Sequence, residues 1–277
     1  MLQRKSCLLA VLFCGAWVTA HAHEFWLMPQ SFSVPTSQNV LLELRVGAGW
    51  PGVSLGRNPA YIERFGVIYS SGPEQRVGGE PGADPAGEVE VKKSGVAWAV
   101  FRSKQSALTL DADKFESYLR EEGLESIIEA RRVNGTSDVP GRERYSRCAK
   151  ALLQLGSDRN AEPLFLKRKT NLTLELIPQT DPRQLRGGGS FKVQLLYLNK
   201  PLQGALVKAL PQTALAKVGT ETAPLLIAGR TDSQGYVTLT LPHGGVWLIN
   251  AVHMVAAAPQ LNADWESIWS SLTFAAP

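Results

Sequence analysis

Arg142 to Gly156 reads RERYSRCAKALLQLG. Tyr145, Cys148, Ala149, Leu152 and Leu153 recur there at helical spacing, and Gly156 is the residue type that often closes a helix. The spacing predicts a helix, with Arg142, Arg144, Arg147 and Lys150 on its solvated face. The preceding DADKFESYLREEGLESIIEARR, residues 111–132, also predicts helix. Phe115, Leu119 and Ile127–Ile128 give it an apolar side, Asp111 stands at the capping position, and Gly123 divides it. VNGTSDVPG, between the two, is a turn-rich break. Together these segments define a helical insertion over about 111–156.

Outside that insertion the chain reads as strands. QNVLLELRVG (38–47) alternates, and SGVAWAVFRS (94–103) sets Val96, Trp98 and Val100 on one face. GGEPGADPAGE (78–88) is rich in turn residues and predicts a mobile loop. NLTLELIP (171–178) returns to strand alternation, and TDPRQLRGGGS (180–190) predicts a linker. Beyond it, SFKVQLLYLNKPLQGALVKALP (190–211) predicts a strand, a tight turn at Asn199–Lys200, and a strand. GRTDSQGYVTLTLP turns at Asp232–Gly235 into an alternating strand. GGVWLINAVHMV (244–255), apolar on both faces, predicts a central strand. The expected fold is mainly β: one β-sandwich domain over 23–183 carrying the helical insertion, and a second, smaller one over 187–277.

The first residues carry MLQRKS, then the apolar CLLAVLFCGAWV (7–18), then small residues at Ala20 and Ala22. This order predicts a cleaved secretory signal over 1–22 and a periplasmic product. The apolar run falls short of the roughly 20 residues that span a membrane, and no later run reaches that length. Cys7 and Cys14 lie in the leader, so Cys148 is left alone and no disulfide framework is expected. The formal charge is +4 and includes Arg4 and Lys5, so the remainder carries +4 − 2 = +2. That balance, with no basic patch interleaved with aromatics, argues against nucleic acid. Trp26, Trp50, Trp98, Trp247, Trp265 and Trp269 are spread too widely for a sugar platform and read as core. No G-x-S-x-G, P-loop or H-E-x-x-H occurs, and the chain is read as a non-enzyme.

Two resemblances narrow the reading. KPLQGALVKA, TDSQGYVTLTLP and the closing GGVWLINA resemble the transthyretin-like or carboxypeptidase-regulatory-like sandwich, which implies immunoglobulin/transthyretin-like domains and no particular activity. AHEFWLMP, FESYLREEGL, RERYSRCAKALL, KPLQGALVKA and DWESIWSSLTF together resemble the bacterial domain-of-unknown-function 4198 family over nearly the whole chain after the leader. That family is periplasmic, and the resemblance implies, for some members, a part in nickel or cobalt uptake.

The chemistry available points the same way. Cleavage after Ala22 leaves His23 first, so its imidazole and the α-amine chelate one ion. Cleavage after Ala20 leaves HAHEFW, a terminus that wraps a square-planar ion with the amine, two peptide nitrogens and His23. Nitrogen sets of this kind favour Cu(II) or Ni(II). His253, on the Trp247–Ile249–Ala251 face of its strand, is the candidate second ligand, and Glu24 and Asp264 are possible oxygen donors. His243, in the turn LPHGG, is read as inert. The expected function is a periplasmic binding or delivery protein for nickel, cobalt or copper, passing the ion to a membrane metal transporter or receptor. The alternatives are a non-enzymatic envelope adhesion or scaffold module for a protein or glycan and, below it, a copper oxidase built on a histidine brace.

Overall fold

A computed structural model describes residues 23–157, 163–185, 187, 189–212 and 226–277. The expected leader and both expected cleavage points lie outside the described residues. In chain order the strands are β1 Glu24–Pro29, β2 Ser33–Val34, β3 Asn39–Gly47, β4 Val53–Leu55, β5 Ile62–Tyr69, β6 Gln75–Arg76, β7 Gly87–Glu90, β8 Gly95–Ser103 and β9 Ser106–Leu110. Helices α1 Ala112–Glu121 and α2 Glu125–Val133 follow, then β10 Gly141–Leu155, the short α3 Pro163–Leu166, and β11 Leu174–Pro178. The remainder is β12 Gly189–Tyr197, β13 Lys200–Pro201, β14 Leu206–Pro211, β15 Ile227–Arg230, β16 Tyr236–Leu241, β17 Gly245–Ala256 and β18 Trp265–Ala276.

The protein is mainly β, as the patterning predicts, and its helical insertion ends at Val133. Residues 142–156 are not a helix. They form β10, which pairs antiparallel with β9 at Gly141–Tyr145 and with β8 at Leu152–Leu155, and parallel with β18 over Glu143–Ala151. The cause of the misreading is burial on both faces. Cys148 and Leu152 pack into one core, while Ala149, Ala151, Leu153 and Leu155 pack into another. A strand covered on both sides loses its period-two signature, and a run such as AKALLQL then satisfies helical spacing by chance. Of the expected solvated face Arg142 stays exposed, but Lys150 is 1% exposed and Arg147 lies over the rings of Phe25 and Tyr145.

Strand β10 makes the architecture continuous. A ten-stranded sheet runs β15-β14-β17-β18-β10-β8-β5-β6, with β2 and β9 also paired to β10, so strands from both sides of the predicted linker share one sheet. On one face it packs against β11, β12, β13 and β16, around Trp98, Phe191, Trp247 and Phe274. On the other, β1, β3, β4 and β7 cover its β5–β8–β10 part, around Phe25, Leu42, Phe65 and Phe101. Helices α1 and α2 cover the β17–β18 part, where Phe115, Leu119 and Ile127 meet Val252, Met254 and Trp269. The two expected sandwiches are thus fused through a common middle layer. The turn at Asn199 is present, with positive φ at Leu198 and Asn199, but the strand beyond it leaves β12 for the middle sheet. Trp26, Trp98, Trp247, Trp265 and Trp269 are buried, as core tryptophans should be.

The loop at 78–88 is pinned rather than mobile. Arg57, itself buried, donates to the carbonyls of Val77 (3.1 Å), Gly78 (3.2 Å) and Ala86 (2.9 Å), and Gly78 bridges to Glu88. Hydrogen bonds from a charged donor are stronger than neutral ones, and their loss leaves buried carbonyls unpaired. Arg57→Ala is expected to cost about 2–4 kcal/mol in urea unfolding, with proteolytic nicking appearing in this loop. A variant as stable and as protease-resistant as the parent would show that the guanidinium does not hold it.

Candidate functional site

His23 lines a cleft of about 570 Å³ between the start of β1, helix α1 and strand β14. Glu24, Glu121, Glu122, Lys208 and Tyr118 share its walls, with Leu110, Leu210 and Leu226 as the apolar part. The sequence positions each group for a local reason. Glu24 opens β1. Glu122 caps the C-terminal end of α1, where Gly123 turns the chain with φ +67° and leaves no room for a Cβ against Leu206. Lys208 projects from β14. Arg230 of β15 ties the helical cap to this sheet edge, donating to the Gly123 carbonyl and to Glu125 Oε1.

At the floor of the cleft Lys208 Nζ donates to Glu24 Oε1 at 2.9 Å and to Glu122 Oε1 at 2.7 Å. All three side chains are nearly buried. Burial pushes the Glu122 carboxyl up to about 7; Lys208 draws it back, and Glu24 adds to the rise. Burial also opposes the Lys208 charge, but Glu122 and Glu24 outweigh it and hold the ammonium above the ordinary lysine range.

Behind this triad lies a second buried carboxyl. Glu143 accepts from Ser267 Oγ and from Tyr118 Oη, the latter at 3.4 Å. Burial raises it to about 7 against the pull of Ser267, Tyr118 and Arg147. Tyr118 stacks on Trp269 at 5.7 Å, and its hydroxyl is held well above the ordinary phenol range by burial, then by Glu143 and Glu122. Tyr118 therefore links the cleft floor to the helix–sheet interface.

The structure does not bring His253 to His23. Side chains alternate across a strand. His253 shares a face with Trp247, Ile249 and Ala251 and lies against the Tyr197 ring, with 4.4 Å between ring centres. Lys208 pairs with Asn250, on the other face, so the middle sheet separates His253 from the cleft. The expectation that both histidines hold one ion is corrected on that ground. Burial lowers the His253 pKa and favours the neutral ring. Asp264 is likewise elsewhere, bonded to Arg142 at 2.7 and 3.1 Å. His243 is exposed, its ring against Trp247 and its Nδ1 2.7 Å from the Gly244 carbonyl. Glu24, by contrast, does stand beside His23 on the cleft wall. Among the described residues, no three His, Cys, Asp or Glu side chains are grouped closely enough to hold a metal ion as they stand.

Sequence reasoning missed Lys208, Glu122 and Tyr118. The signal for Lys208 was available: a single lysine inside the apolar GALVKALP needs a buried counter-charge.

The family model for the domain of unknown function 4198 matches residues 20–255, most of the chain. The chain belongs to this family. No curated protein matches the DUF4198 chain significantly. Two solved structures of alpha-2-macroglobulin from Escherichia coli share 14% identity with it: the native conformation, with a TM-score of 0.23 over 92% of this chain, and the trypsin-activated form, with 0.21 over 90%. The chain spans 17% of the length of each. Likeness at that level carries no functional argument. No helix among the described residues of this DUF4198 protein is long and apolar enough to cross a membrane.

Proposed function

We propose that this protein binds a divalent transition metal ion (nickel, cobalt or copper) in the periplasm and delivers it to a membrane transporter or receptor. The observation that supports this is the position of His23 on a cleft whose walls also carry Glu24, Glu121 and Glu122. An imidazole with carboxylates suits first-row divalent ions, and the α-amine released by cleavage after Ala22 adds a second nitrogen. The ligands bind in their deprotonated forms, so affinity rises with pH through neutrality. His253 has no part in this site.

Titration of the exported protein with NiCl₂, CoCl₂ and CuCl₂ tests the reading. Parent protein is expected to bind one ion, and His23→Ala to bind at least about tenfold more weakly, a loss of about 1.4 kcal/mol. Equal binding by the two proteins would overturn it in favour of the envelope scaffold reading.

A further inference from the structure

An ammonium already fills the place between Glu24 and Glu122, at 2.9 and 2.7 Å from the two carboxylate oxygens. Two carboxylates from β1 and α1, far apart in sequence, converge on that one point. Directly across from Lys208 on β17 stands Asn250, and across from Asn250 on β18 stands Ser271. Directly paired antiparallel residues project to the same face with Cβ atoms about 4.5–5.5 Å apart. Asn250 and Ser271 are each 1% exposed, and Asn250 Oδ1, Asn250 Nδ2 and Ser271 Oγ make no hydrogen bond among the described residues. Unpaired buried polar atoms are rare and call for an explanation.

We propose that Lys208 is a resident cation that an incoming divalent ion displaces. The ion takes the point between Glu24 and Glu122, beside His23, and the ammonium withdraws to Asn250 Oδ1 and Ser271 Oγ. This rests on the metal-binding reading above. The charges support the exchange. With both carboxylates ionised, Lys208 leaves the pair one negative charge in excess, whereas a divalent ion neutralises it. The displaced ammonium keeps its own charge and needs acceptors, and β17 and β18 supply one each, Asn250 Oδ1 and Ser271 Oγ, that make no hydrogen bond among the described residues. The flexible four-carbon stem lets the ammonium move without any change in the sheet.

Four proteins test this with Ni²⁺ alone as the probe, by calorimetric titration at one fixed pH: parent, Lys208→Met, Asn250→Leu and the double variant. Lys208→Met, which removes the competitor, is expected to bind about tenfold more tightly, and Asn250→Leu, which removes the second berth, about tenfold more weakly. The double variant is expected to bind like Lys208→Met, because Asn250 acts only through the lysine. Thermal unfolding without metal checks that each protein is folded, and Asn250→Ala replaces Asn250→Leu if the larger side chain does not fit. Unchanged or weaker binding by Lys208→Met overturns the proposal, as does an Asn250 defect that persists undiminished in the Lys208→Met background. If neither parent nor Lys208→Met binds Ni²⁺, Co²⁺ or Cu²⁺ in the same titration, the metal-binding reading itself falls. If the parent binds, His23→Ala does not and Lys208→Met equals the parent, only the displacement falls.

Discussion

Glu175→Ala is expected to cost about 3–5 kcal/mol, the range for leaving a buried charge without its partner. Glu175 of β11 and Lys150 of β10 are each 1% exposed and bond across the layers at 2.9 Å, with the ammonium 4.5 Å from the centre of the Trp98 ring. The carboxylate also accepts from the Thr170 amide at 2.8 Å and the Thr170 hydroxyl at 2.8 Å. Burial works to raise the Glu175 pKa, but Lys150 and the Thr170 donors prevail and hold it below the ordinary range. Burial lowers the Lys150 pKa, and Glu175 only partly restores it. With Glu175 gone, Lys150 sheds its proton or draws in water, and two Thr170 donors lose their acceptor. Lys150→Met with Glu175→Leu removes both charges and is expected to recover at least half of the loss. Urea midpoints of the two single variants and the double variant give the answer. A Glu175→Ala protein within about 1 kcal/mol of the parent would mean that the pair holds nothing.

That pair also shows what was legible in the sequence. Strands open to solvent on one face announced themselves by alternation: β3 and β16 fall where the pattern put them. Strand β17 is central, as a run apolar on both faces predicts. The same logic applied to 142–156 failed, because a strand buried on both sides and an amphipathic helix share the spacing of Cys148, Ala149, Leu152 and Leu153. The lysine at 150 was the discriminating residue. On a helix it reads as solvated, but in a middle-layer strand it demands a partner, and Glu175 is 25 residues away. Long-range pairing of this kind has no local signature. The site divides in the same way. His23 could be singled out by its place after the expected leader, whereas Glu122 and Lys208 reach it only because α1 docks over β14 and β17. The face on which His253 would stand was readable from its strand, but which layer covers that face was not.

Acidification from pH 7.5 toward 5.5 is expected to stabilise the fold through Glu122 and Glu143, against the behaviour of most carboxylates. Both carboxyls titrate near 7 in the folded chain, raised chiefly by burial from 4.5. Between those two values the folded state holds protons that the unfolded chain has released. Stability therefore falls as pH rises through the window and is fully present below it. Each group contributes up to about 1.4 kcal/mol per pH unit inside the window. His253 opposes this, since burial lowers its pKa and the unfolded imidazole gains a proton that the folded one does not. Glu175 and Asp264, whose pKa values are lowered, act below the window. Glu143→Gln isolates one term, because glutamine keeps the shape of the protonated acid and cannot ionise. The difference in unfolding free energy between parent and Glu143→Gln should therefore shift by up to about 1.4 kcal/mol per unit across pH 5.5–7, in favour of the parent on the acid side, while the His253 contribution cancels. A difference that stays flat across that range would place the Glu143 proton elsewhere. Because Glu143 and Glu122 both lie against Tyr118 of α1, the same window should set how firmly the helical cap is held. Amide exchange in residues 112–133, corrected for its intrinsic pH dependence, is expected to be slower at pH 5.5 than at 7.5.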